Sequence, residues 1–93
     1  MHAVVGAVEI DASRGDEAVA LLNETLVPMI RQMDGFVSGT WTRSVDGTQG
    51  RSIIVFESEA AAQAAATQAR QGPPPGAPVS FVSTDVFEVV ARA

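Results

Sequence analysis

Ninety-three residues with a net charge of −5 describe one small domain, residues 1–93. The six basic residues are all arginine and are scattered from Arg14 to Arg92 without a basic patch, which argues against a nucleic-acid partner. Cysteine is absent, excluding disulfides, thiolate catalysis and cysteine-held metals. No apolar run approaches membrane length and no charged-then-apolar leader opens the chain, so the expectation is a cytoplasmic protein with no membrane partner.

Residues 3–10, AVVGAVEI, form a valine-rich run of strand length. Gly6 in its middle points to a bulge or a close backbone approach. Residues 11–15 connect to a helix: Ser13 followed by Asp16 resembles a capping box, and Asp16 and Glu17 suit a helix start. Ala18, Leu22, Thr25 or Leu26, Met29 and Met33 recur at helical spacing and predict a helix over about 16–33. Pro28 lies inside it, with no N–H for the Glu24 carbonyl and a ring that crowds that turn. A kink is expected there, or a helix that ends and restarts with Pro28 in its first turn; a packing bend accounts for it without a functional hinge.

Asp34-Gly35 stops this helix, Gly35 suiting the left-handed position just past its end. Residues 36–43 then read as a second strand that carries the only tryptophan, Trp41. Residues 45–50 form a turn in which Asp46-Gly47 signals a hairpin, and residues 52–57, SIIVFE, form the third strand. Ser58 caps a second helix over 59–71. Seven alanines favour that helix, and Arg70, Gly72 and Pro73 end it. Residues 72–78, GPPPGAP, are stiff and extended: a connector in the first instance, a lid or proline-rich docking segment in the alternative. Residues 81–91 close the chain as a fourth strand.

The order β-α-β-β-α-β predicts an α+β, ferredoxin-like fold, a four-stranded antiparallel sheet with both helices on one face. Such a sheet ordinarily alternates apolar and polar residues. Here Val4, Val8 and Ile10 oppose Ala3, Val5 and Ala7 in the first strand, and Ile54 and Phe56 oppose Ile53 and Val55 in the third. In the fourth, Val86 and Val90 oppose Phe87, Val89 and Ala91. Helices cover one face only, so a homodimer is expected, with a second copy covering the other.

The residues 33–41, MDGFVSGTW, resemble the helix end, glycine and second strand of the dimeric α/β-barrel superfamily, and within it the antibiotic-biosynthesis-monooxygenase-like proteins. Residues 54–61, IVFESEAA, are similar to that family's third strand and capped helix, and residues 86–90 to its final strand. The resemblance implies two sheets facing each other as a dimeric barrel, with ligands in a cleft between each sheet and its helices. It implies cofactor-free oxygenases acting on aromatic polyketides or quinols, or haem degraders, as possible kin. The catalytic sets of those kin do not carry over. Ala65 stands about where haem-binding members have a helix histidine, the only histidine is His2, and the only asparagine is Asn23 in the first helix. No haem or other cofactor is therefore expected.

Four residues are candidates for ligand binding. Trp41 can stack on a planar molecule, or serve as a core or dimer-contact residue. Arg43 lies two residues on, on the same strand face, and can meet an anionic or phenolate group or stand in solvent. Asn23 can face the cleft or water. Phe56 would lie beneath a ligand if the alanine-rich helix leaves room above it; the other reading is that alanines let that helix approach the sheet closely. Glu57 and Glu59 lack a positioned partner and name no general acid or base. The expected function is binding of a planar, hydrophobic, quinone-like molecule, with cofactor-independent oxygenation implied by the resemblance. The alternative is a non-catalytic dimeric domain, stress-related or scaffolding, whose cleft is filled by its own side chains.

Overall fold

Strands form where β-branched and aromatic residues concentrate. In the computed structural model, which describes residues 1–93, these are β1 (His2–Ile10), β2 (Phe36–Arg43), β3 (Gln49–Phe56) and β4 (Val79–Glu88). They join in one sheet of order β2-β3-β1-β4 with every neighbouring pair antiparallel. Helical segments follow β1 and β3, giving the ferredoxin-like α+β fold that the element order implies. Register puts Val4, Ile54, Phe56, Trp41 and Val86 on the helix-bearing face and Ala3, Val5, Ile53, Thr40 and Phe87 on the other. No helix is long and apolar enough to cross a membrane.

The first helical segment is broken in a way that Pro28 explains. A short 3₁₀ turn (Ala12–Arg14) leads into α1 (Gly15–Leu21), a π-helical turn (Leu22–Leu26) and α2 (Val27–Arg31). In the π turn the Val27 N–H reaches back five residues to the Leu22 carbonyl. The helix resumes with Pro28 in its first turn, where no N–H is needed. The start differs from the sequence expectation. Asp11 caps the 3₁₀ turn, its Oδ1 accepting from the Ser13 N–H at 3.1 Å and the Ser13 hydroxyl at 2.6 Å, while α1 itself starts after Arg14 with no side-chain cap. The Ser13 hydroxyl is committed to Asp11, so it does not serve as the cap of α1.

The second helix is α3 (Glu59–Ala69), and Ser58 caps it by accepting from the Ala61 N–H at 3.1 Å. It sits tightly on the sheet. Ala62 and Ala66 are wholly buried with Val4 and Phe56, and Phe36 meets Phe56 edge-to-face at 6.3 Å. Gly35 permits this approach: it has φ 78°, and a Cβ there would lie 2.9 Å from that of Ala61. Of the two readings of the alanine-rich helix, close packing is the one observed. Smaller differences concern ends. β3 begins three residues before the expected strand, and β4 spans 79–88, stopping short of Ala91. Of the two readings of Gly6, the close approach is the one observed, a Cβ there lying 2.7 Å from the Ser52 Oγ, and the register shift against β4 falls between Ala7 and Val8.

The β2–β3 hairpin turns on Asp46. Its Oδ1 accepts from the Ser44 hydroxyl at 2.7 Å, the Thr48 hydroxyl at 2.7 Å and the Thr48 N–H at 3.0 Å. These bonds, the Thr48 hydroxyl first, hold its carboxyl below the usual aspartate range. A depressed carboxyl stabilises the fold at pH values above its unfolded pKa, and the stabilisation disappears as pH falls through the folded pKa. Asp46→Ala should therefore lower the melting temperature at pH 7, and the gap from the parent should close in strong acid. Thermal melts by circular dichroism across pH 2–7 check this; a gap that does not change with pH would contradict it.

Candidate functional site

The two helical segments are seated unequally, and a site results. The first carries Leu22, Leu26, Met29, Ile30 and Met33 toward the sheet where α3 carries alanine. Larger side chains hold it farther off. Apart from Ala18, no residue of segment 15–31 is buried. Between this segment and the sheet lies an open cleft of about 750 Å³, within the range of small-molecule sites. The stripe that the sequence reads as a helix's core face (Ala18, Leu22, Thr25, Leu26, Met29, Met33) forms its roof.

The floor is the helix-bearing face of the sheet, and register explains its shape. Thr84, Gly6, Ser52 and Trp41 run side by side across the four strands. The adjacent row is Phe81, Val8, Gly50 and Arg43. Gly6 and Ser52 in the first row and Gly50 in the second leave a trough bounded by Trp41 and Arg43 on one side and Phe81 on the other. A Cβ at Gly6 would come within 2.7 Å of the Ser52 Oγ, so the trough has no spare width there. Gln71, Pro73 and Pro74 close one end. That end is tied down, since Arg14 donates to the Gly76 carbonyl at 3.0 Å while pairing with Glu17 at 2.6 Å. The proline segment 72–78 is thus a connector that also supplies cleft wall.

All four sequence candidates border this space, in different ways. Trp41 is half-buried and the benzo edge of its indole sits over Gly39: a Cβ at that glycine would be 2.5 Å from Cη2 and 2.7 Å from Cζ3. Trp41 faces the helices, so it is no part of the outer sheet face. Arg43 is exposed at the mouth, with its Nη1 beside Gly15. Asn23 lies on the rim, with one Nδ2 hydrogen donated back to the Val19 carbonyl at 3.0 Å. Phe56 belongs to the core under α3 and is wholly buried, so it supports the cleft from below. Gly39, Gly6 and Ser52 were not among the sequence candidates. The signal for Gly39 was present: a glycine two residues before a tryptophan on one strand shares its face and gives the ring a seat.

Ala65 borders the cleft and offers a methyl group, and His2 does not border it. The lining does not fit a haem held by histidine, and no group of three histidine, cysteine, aspartate or glutamate side chains is placed to hold a metal ion.

The fold is that of the antibiotic-biosynthesis-monooxygenase-like proteins. Over 100% of this chain and 99% of the other, it matches the haem-degrader MhuD from Mycobacterium tuberculosis, a structure with two haems in its active site (TM-score 0.76, 23% identity). It matches a candidate antibiotic biosynthesis monooxygenase from Deinococcus radiodurans over 100% and 96% (TM-score 0.75, 15% identity). It also matches the ActVA-Orf6 monooxygenase of Streptomyces coelicolor, in complex with nanaomycin D, over 99% and 89% (TM-score 0.63, 19% identity). At these identities the likeness is one of fold. No protein-family model and no curated protein sequence matches the chain.

Gly39→Ala tests the seating of Trp41. The added methyl cannot share the space of the indole, so the ring should swing away and its emission shift to longer wavelength. Stability should fall by about 1–3 kcal/mol, the usual cost of overpacking, offset in part because alanine suits a strand better than glycine. An unchanged emission maximum would contradict the geometry.

Proposed function

We propose that this protein binds a planar, hydrophobic small molecule in the cleft, against Trp41. The observation that carries this reading is the cleft itself: an apolar space of about 750 Å³ with an aromatic ring already seated on its floor. A site of this kind binds by burying apolar surface, and the ring adds stacking. Nanaomycin D in the Streptomyces protein and haem in the mycobacterial one are flat, largely apolar molecules, and they support the reading from the side of the fold. The competing idea, a non-catalytic domain with its cleft packed by its own side chains, is disfavoured by the open volume.

Turnover as a cofactor-independent oxygenase is a finer reading. Proton transfer needs an acid or base within hydrogen-bond reach of the reacting atom. The cleft lining contains no carboxylate and no imidazole. Binding should accordingly be easier to detect than oxygen uptake. Naphthoquinones and anthrones should quench Trp41 fluorescence saturably. Calorimetry should show Trp41→Phe binding about threefold to tenfold more weakly. Purely collisional quenching, linear in ligand, would contradict the reading. Oxygen uptake with a quinol or anthrone then separates binding from catalysis.

The same reading includes a homodimer built on the outer sheet face. Only nine of 93 residues are buried in the single chain, so its core is small for its size. The face away from the helices exposes Ile53 by 52%, Val82 by 61% and Phe87 by 54%. A second copy laid sheet to sheet would cover them. Light scattering across a dilution series should give twice the 9.7 kDa chain mass. A stable monomer at micromolar concentration would contradict the assembly without touching the cleft.

A further inference from the structure

The charge distribution around the cleft is lopsided. The chain has 11 acidic residues, yet none borders the cleft, whereas Arg43 and Arg51 do. Arg51 is occupied: its guanidinium donates to the Gly50 carbonyl at 2.8 Å and to Gln49 Oε1 at 3.2 Å. Arg14 and Arg70 are occupied as well, by Glu17 with the Gly76 carbonyl and by the Thr84 carbonyl. Arg43 donates no hydrogen bond and enters no ion pair. Asp16 and Glu17 border the shallow depression on its far side, but Glu17 is held by Arg14 and neither pairs with Arg43. The free guanidinium and the Trp41 indole project from the same face of β2, two residues apart, one at the mouth and one on the floor.

We infer that the cleft selects the oxyanion of a flat apolar molecule, a carboxylate or phenolate, whose ring body lies along Trp41 and whose charged end meets Arg43. This rests on the reading of the cleft as a small-molecule site. The ring body gains from apolar burial. The oxyanion gains a charge-assisted hydrogen bond, strengthened as the ligand itself covers the guanidinium from water. The net charge of −5 opposes anions at long range. At physiological salt that repulsion is screened beyond about 8 Å, so the nearby arginine prevails. A cationic ligand would find no carboxylate in the lining to receive it.

Matched ligands test this, with Trp41 fluorescence as the readout. Anthraquinone-2-carboxylate is compared with its neutral carboxamide at pH 7, and a hydroxyanthraquinone is measured on both sides of its own phenol pKa. Each is titrated into the parent protein and Arg43→Gln. Arg43 is exposed and unpaired, so the variant should fold, as circular dichroism verifies. The expected result is a preference of about fivefold to tenfold for carboxylate over carboxamide, a scale between exposed ion pairs and desolvated charged hydrogen bonds. The preference should shrink at high salt and vanish in Arg43→Gln. The phenol arm tells whether phenolate is selected in the same way. Equal, saturable binding of acid and amide by the parent protein overturns the inference and leaves the cleft reading standing. A preference that survives in Arg43→Gln overturns the assignment to Arg43. No saturable binding of any of these ligands overturns both.

Discussion

One sheet face has to carry two helical segments, and their side chains differ in size. That inequality shapes the molecule. Alanines at 62 and 66 let α3 sink onto Val4 and Phe56 until nothing between them is exposed. The leucines, methionines and isoleucine of segment 15–31 hold the other side of the roof away from the sheet. The core therefore gathers at one end and a cleft opens at the other. The small residues Gly6, Gly50 and Ser52 deepen the floor, and the Trp41 indole is seated over Gly39 because that residue has no side chain. Core and cleft are two outcomes of a single packing problem.

The π-helical turn belongs to the same account. Pro28 cannot donate to an i−4 carbonyl, and an α-helix carried straight through it would be strained. Widening the preceding turn by one residue removes the conflict. It also places Leu22, Asn23, Thr25 and Leu26 along the cleft roof. Single π turns inside helices are frequent at functional sites. Here one sits over the space that the sheet leaves open.

Much of this was legible in the sequence, for identifiable reasons. Trp41 and Arg43 share a strand face by the two-residue period, and all four strands and both helical runs follow from periodicity and stop signals. The Asp46-Gly47 turn and the Ser58 cap rest on local chemistry and could be read directly. What could not be read was distance between elements. The stripe from Ala18 to Met33 announces a helix with an inward face, but not that this face looks onto open space. Asn23 was a fair candidate by composition, yet one of its amide hydrogens turns back to the Val19 carbonyl, a detail fixed by rotamer. Phe56 lies under α3 because the alanines there permit it. Ser13 does not cap α1 because a 3₁₀ turn capped by Asp11 precedes the helix and takes the Ser13 hydroxyl.

The central claim is that a flat apolar ligand enters between segment 15–31 and the sheet. Amide chemical-shift mapping on the ¹⁵N-labelled protein tests it most directly, titrated with a planar quinone or aromatic acid. The account predicts shifts at the Trp41 indole N–H, at Gly6, Gly39, Gly50 and Ser52, and along Leu22 to Met33, while α3 around Ala62 and the outer-face residues Ile53 and Phe87 stay unmoved. Shifts confined to the outer sheet face, or no saturable shift anywhere along the cleft, would contradict it.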